Sequence, residues 1–243
     1  EICDNATSSR LYDALSGIET LLKEINVDAF QAESENIVSN YQNLLSYTIR
    51  GVTDPQRPQV LSSLIISVVE LADRIKEHFL EKNNLLLLQN KRNSYNKLSL
   101  IQAKQNEALE SRKYMEKISD LLNETRIAFD DDEAEKKQQD FRNDLFDYIL
   151  YTDKFSDSDM LFVKTIFDSG YFKWYDNCLP VTAVTLSMIR FFDTSKMELL
   201  FDFYYSGRHE VRQRALVGIL LCFYVFDDRI RFYKALNDRI NKI

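Results

Sequence analysis

The side chains in this 243-residue chain that are most able to do chemistry are few and scattered. Its two histidines, His78 and His209, and its three cysteines, Cys3, Cys178 and Cys222, lie far apart. A zinc centre takes several N or S ligands, usually in closely spaced pairs. No pair here has that spacing. A Cys–His nucleophile would need the two groups brought together by the fold, and no local motif marks one. There is no Gly-rich phosphate loop and no G-x-S-x-G elbow. The run Asp130-Asp131-Asp132-Glu133-Ala134-Glu135 offers oxygens that calcium could use. It lacks the alternating ligands and central Gly of an EF-hand loop. It reads instead as a solvated junction whose carboxylates favour the start of the next helix. No catalytic residue, metal or cofactor is expected.

Two short stretches have the chemistry of binding. Tyr171, Phe172, Trp174 and Tyr175, with the only Trp in the chain, cluster around Lys173. Aromatic rings with a polar handle dominate interface hot spots. The competing reading is that these rings plug a gap in the core. Arg208, Arg212 and Arg214 surround His209 at a helix start, where arginines suit phosphates or acidic peptides. Their competing reading is a solvated, ion-paired face. Replacing Trp174 by Ala separates the first two readings: a binding ring costs partner affinity, a plug costs stability.

The elements that must position these residues are helices. Gly (5) and Pro (3) are scarce, and loop-rich or sheet folds need many turns built from them. Gly51, Gly170 and Gly207 fall where apolar periodicity stops, the place for a left-handed helix-ending residue. Residues 9–25 carry Leu11, Leu15, Ile18, Leu22 and Ile25 at helical spacing, with Ser8 or Ser9 as cap. Residues 28–50 follow with Phe30, Ile37, Tyr41, Leu44 and Leu45, capped by Asp28. Asp54-Pro55 and Pro58 turn the chain into a third helix. Its stripe is Leu61, Leu64, Ile65, Val68, Ala72, Ile75 and Phe79. Leu85 to Leu88 either continue or break that helix. A fourth helix is expected over about 97–128, with Ile101, Ala108, Met115, Leu122 and Phe129 seven apart. Its companion positions are polar, which favours a narrow packing stripe over a coiled coil.

Composition changes near residue 135. Only 8 of the 30 aromatic residues precede it. The expected division is 1–135, a bundle of long antiparallel helices, and 136–243, shorter helices. Within the second part the chain matches itself. Met160 to Gly170 aligns with Met197 to Gly207, each a short helix ending in Ser-Gly. Val181, Thr185, Leu186 and Ile189 then align with Val211, Ala215, Leu216 and Ile219. The aromatic stretch at 171–177 is an insertion in the first copy.

The second copy, Leu199-Leu200 and then Ser206 through Ile219, resembles a HEAT repeat. The turn leads into Val211-Arg212, and the small Ala215 follows three positions after the Arg. The resemblance covers roughly residues 158–241 and is most specific over 195–226. The first copy lacks the Arg and has Pro180. Membership of the armadillo/HEAT class implies an all-α fold ending in a short solenoid. Val211 and Ile219 would face the layer core, Ala215 and Gly218 would let helices approach closely, and Arg212 would stay at the surface. By analogy it also implies a scaffold that binds protein. Residues 229–241, capped by Asp227-Asp228, read as the first helix of a third repeat, so the chain is expected to belong to a longer protein.

Charge narrows the partner. The net charge is −7: residues 1–135 carry 15 Lys/Arg against 23 Asp/Glu, and residues 136–243 carry 16 against 15. An acidic first half is a poor counterion-releasing surface, so nucleic acid is an unexpected partner there. Unpaired cysteines fit a reducing, cytoplasmic setting. The longest apolar run, Ala215 to Phe226, has twelve residues where a membrane span needs ~20. It reads as a buried helix. The expected function is a non-enzymatic protein–protein interaction or scaffold module. One alternative is a small-ligand binder or enzyme with a pocket between the halves. The other is phosphate or nucleic-acid binding through Arg208, Arg212 and Arg214.

Overall fold

A computed structural model describes residues 1–8, 10–25, 28–51, 54–83, 131–168 and 173–240, and every regular element among them is helical. The chain is all-α. It divides into two compact units, residues 1–89 with 228–237, and residues 90–227 with 238–243. The leucine run at 85–88, the stripe expected at 97–128 and Gly170 lie outside the described residues.

In the first unit α1 spans Ile2–Thr7, α2 Leu11–Ile25, α3 Gln31–Ile49 and α4 Arg57–Asn83. Helix α1 has too few residues to show a period, so the sequence hides it. Ser8 closes α1 and does not cap α2. Asp28 opens a single 3₁₀ turn, Asp28–Phe30, and Phe30 takes the position before α3. Asp54 accepts from the Gln56 N–H at 2.8 Å and shapes the turn into α4. Gly51 has φ 72°, the left-handed conformation that lets α3 end there. One stripe from each helix makes the core. Leu11, Leu15, Ile18 and Leu22 of α2 meet Ile37 of α3 and Leu64, Ile65, Val68 and Ile75 of α4. Phe79 departs from the expected stripe and is exposed. Returning residues close this unit: Arg229 makes a two-pronged ion pair with Asp73 at 2.5 and 3.1 Å.

In the second unit α5 spans Asp131–Tyr151, α6 Asp157–Asp168, α7 Cys178–Arg190, α8 Thr194–Ser206 and α9 starts at His209. The acidic run thus does begin a helix. Helix α5 packs on α7, α7 on α8, and α8 on α6. Asp159, in the first turn of α6, accepts from the Ser156 N–H and hydroxyl at 2.7 Å and from the buried Tyr148 hydroxyl. Asp193 caps α8 through the Ser195 N–H at 3.1 Å. Gly207 ends α8 in an extended conformation, φ −70° and ψ 156°, and not the left-handed one expected. Helix α9 continues to Ile230 with a non-helical φ of −124° at Phe226, and α10 spans Lys234–Ile240. Asp227 and Asp228 thus follow the break at Phe226, at the start of the short helical stretch that ends at Ile230, and the helix expected over 229–241 is divided between that stretch and α10.

Helix α9 departs most from expectation. Val211, Ala215, Ile219, Cys222 and Phe226 are buried, as one apolar stripe. Gly218 is buried beside them, Leu216 and Phe223 are half-buried, and the rest of the apolar run is exposed. Val217 is 56% exposed, Leu220 58% and Tyr224 89%, and Leu221 and Val225 are also exposed. A helix apolar on every side is normally enclosed; this one is covered on one side only.

Candidate groove between α7 and α9

Helices α7 and α9 run side by side in the same direction. Arg214 donates to the Thr182 hydroxyl at 2.8 Å, and one turn on Gly218 lies against Thr185. A Cβ on residue 218 would overlap the Thr185 hydroxyl, so glycine is what allows this approach. Gly inside a helix costs ~1 kcal/mol against Ala, which the close packing offsets. Thr185 meanwhile turns its hydroxyl back to the Val181 carbonyl at 2.9 Å, leaving it no reach toward solvent.

Between the two helices runs an open groove of about 580 Å³. Its floor and walls are apolar: Leu186 and Ile189 from α7, Val217 and Leu221 from α9. Trp174 closes one end beside Cys178, and Glu210, Gln213 and Arg214 make that end polar. The lining on α7 extends from Cys178 to Ile189, roughly 16 Å at 1.5 Å per residue, or three helical turns. Burial pushes the Cys178 thiol upward from its ordinary value, and its Sγ faces the Trp174 carbonyl at 3.7 Å. It is protonated at neutral pH and a poor nucleophile.

Of the residues expected to bind, the structure brings Trp174 and Arg214 to this groove. Trp174 and Tyr175 are both exposed and stack edge to face, 5.6 Å between centroids. Arg212 lies elsewhere, its guanidinium 5.3 Å over the Tyr204 ring. Arg208 is exposed just before α9. Tyr171 and Phe172 fall outside the described residues. Sequence reasoning missed Leu186, Ile189, Val217 and Leu221. Their signal was present: an apolar run spread over the whole circumference of a helix has a second face that needs its own cover.

A second cluster is buried and has a different role. Lys196, wholly buried in the first turn of α8, donates to the Thr152 carbonyl, to the Asp153 carbonyl at 3.2 Å and to the Ser187 hydroxyl at 2.6 Å. Its ammonium lies 4.6 Å over the Phe155 ring. Arg190 adds bonds to the Leu150 carbonyl at 3.2 Å and the Asp153 carboxylate at 2.6 Å. The two cations thus satisfy the carbonyls left open at the end of α5. Burial drives Lys196 down from 10.5 to about 7. It also raises Asp193, although Asp193 accepts from the Phe155 N–H at 2.8 Å. Neither group lines the groove. Asp202, by contrast, joins Lys164 of α6 and Arg239 of α10; burial pushes its carboxyl up, but those two cations outweigh it and hold it low.

Among the described residues no group of three His, Cys, Asp or Glu side chains could hold a metal ion. No described helix is long and apolar enough to cross a membrane. No family model matches the chain, and no match to it was found among curated proteins or solved structures.

Proposed function

We propose that this chain is a non-enzymatic interaction module that holds another protein chain against the α7–α9 face. In this reading the first part is a helical bundle and the second a short HEAT-like solenoid, with α7 and α9 as the paired second helices of two repeats. The observation that carries it is the uncovered apolar stripe of α9 with the groove beside it. Burying an exposed Val or Leu is worth about 1.5–3 kcal/mol. A face of this kind, rimmed by polar groups, marks an interaction surface. Trp174 at its end has the ring type that anchors interfaces.

The experiment compares immobilised wild-type chain with Leu186→Asp/Val217→Asp and with Trp174→Ala in capture from a lysate. Both substituted aliphatics are exposed, so the variants keep their circular dichroism and melting temperature. The expected result is a protein retained by wild type, weakened by Trp174→Ala and lost from the double variant. Equal retention by all three chains would sink the reading.

A further inference from the structure

In the first unit, α2 sets Glu19, Leu22 and Lys23 on one side, at spacings of three and four. Helix α3 does the same with Gln31, Ser34 and Glu35. With Asp28 from the turn before α3, these residues line a pocket of about 420 Å³. That volume is in the range of small-ligand sites. The pocket shares no residue with the α7–α9 groove.

Two independent observations point to an occupant. The first is Ser34, which is 3% exposed and whose hydroxyl oxygen is buried without a hydrogen-bond partner. Thr20 of α2, Thr48 of α3, and Ser62 and Ser67 of α4 each donate to the carbonyl four residues back. Ser34 has the Phe30 carbonyl in that position and does not take it. Buried polar groups are nearly always bonded, and Ser34 lines the pocket, the side from which a partner can arrive. The second observation is charge. Glu19, Asp28 and Glu35 line the pocket with Lys23 as the one cation among them. None of the four is ion-paired among the described residues, whereas the neighbouring Glu33 is paired with Arg74. Gln31 donates to the Glu35 carboxylate at 3.1 Å and fixes its place. Asp28 stands at the start of α3, which suits an anion. Glu19 and Glu35 lie beyond the end turns of their helices and take no such support.

The carboxylates do not converge as a metal centre requires. An occupant that answers them carries positive charge at more than one place. Leu22, 9% exposed, gives the lining an apolar spot suited to methylenes. An ammonium has three N–H donors, enough to serve a carboxylate and the Ser34 hydroxyl together. We infer that this pocket binds a short aliphatic diammonium, its charged ends on the carboxylates, its stem against Leu22 and one end donating to Ser34. Such a pair of ammoniums belongs to a free diamine or to adjacent lysines of a peptide.

The test is calorimetric titration of the whole chain with 1,5-diaminopentane at low ionic strength. One saturable site is expected. Glu19→Gln/Glu35→Gln should raise its Kd about 10-fold. Lys23→Gln should lower it about 3-fold by removing a like charge. Ser34→Ala should raise it about 5-fold while leaving the melting temperature unchanged or higher, because an orphan hydroxyl is removed. Asp13→Asn/Asp168→Asn makes the same change of charge at exposed positions outside the pocket and should leave Kd unchanged. Tighter binding of a Lys-Lys dipeptide amide than of the diamine assigns the ammoniums to a peptide and supports the same site; weaker binding assigns them to a free amine. The absence of a saturable site for either probe overturns the proposal. So does magnesium binding as tightly as the diamine, or an equal loss in the Asp13→Asn/Asp168→Asn control, since either means general attraction to an acidic surface. A lower melting temperature for Ser34→Ala with unchanged Kd also overturns it, because the hydroxyl then serves the fold.

Discussion

At Lys196 a single ammonium carries out a structural task with three acceptors and a ring around it. Burial lowers its proton affinity; Asp193 pulls back upward, Arg190 pushes further down, and Asp153 and Asp159 pull up again. The outcome, about 7 against an ordinary 10.5, has a definite sign. Between those values the unfolded chain keeps a proton here that the folded chain has released, so stability rises with pH across that window. Read downward, the contribution is complete above 10.5 and lost as pH falls to about 7. Urea unfolding of Lys196→Met, followed across the same window, should show this slope flattened relative to wild type. Met also leaves the Thr152 and Asp153 carbonyls without their donor, which should lower stability by about 1–3 kcal/mol at the basic end of the window. None of this was legible in the sequence. Lys196 sits among polar residues that read as an ordinary helix start, and only the fold brings the end of α5 onto it.

Among the elements, the α7–α9 pair turns on one missing methyl group. Gly218→Ala gains helix propensity of ~1 kcal/mol but pushes a Cβ into the Thr185 hydroxyl. The overlap should win, for a net loss of about 1–3 kcal/mol. Gly218→Ala/Thr185→Ala should recover much of that loss, because the second change removes the obstructing hydroxyl. Equilibrium unfolding of the two singles and the double gives the coupling directly. The close approach was foreseeable from a glycine inside a strongly apolar helix. So were the buried positions Val211, Ala215 and Ile219, from their period. The exposed half of α9 was not, because a run of apolar residues gives hydrophobicity without direction. Only the neighbours decide which side is covered. Gly207 shows a related limit: a glycine after a helix marks the stop, but the backbone there is extended, and what calls for glycine is space, since a Cβ would overlap the Phe203 carbonyl oxygen and the Val211 side chain.

For the molecule as a whole, the all-helical class was readable from few glycines and prolines and long 3.6-residue periods. The chain path was not. Residues 228–237 complete the first unit after 138 intervening residues of the second, and no local pattern announces such a return. The Asp73–Arg229 pair records it, with side chains only 14% and 15% exposed. Arg229→Met leaves a largely buried Asp73 carboxylate without its cation. It should cost about 3 kcal/mol, read by thermal or urea unfolding. Asp73→Asn/Arg229→Met should cost less than the single change, since the orphan charge is gone. An equal loss in both would mean that Arg229 acts through packing and not through charge. The same path sets an order of events during synthesis. Domains generally fold as they leave the ribosome, earliest first. Here the earliest part emerges without Arg229 and without Arg231, which reaches the Thr7 carbonyl. The nascent first unit therefore lacks these closing contacts until nearly all of the chain has been translated.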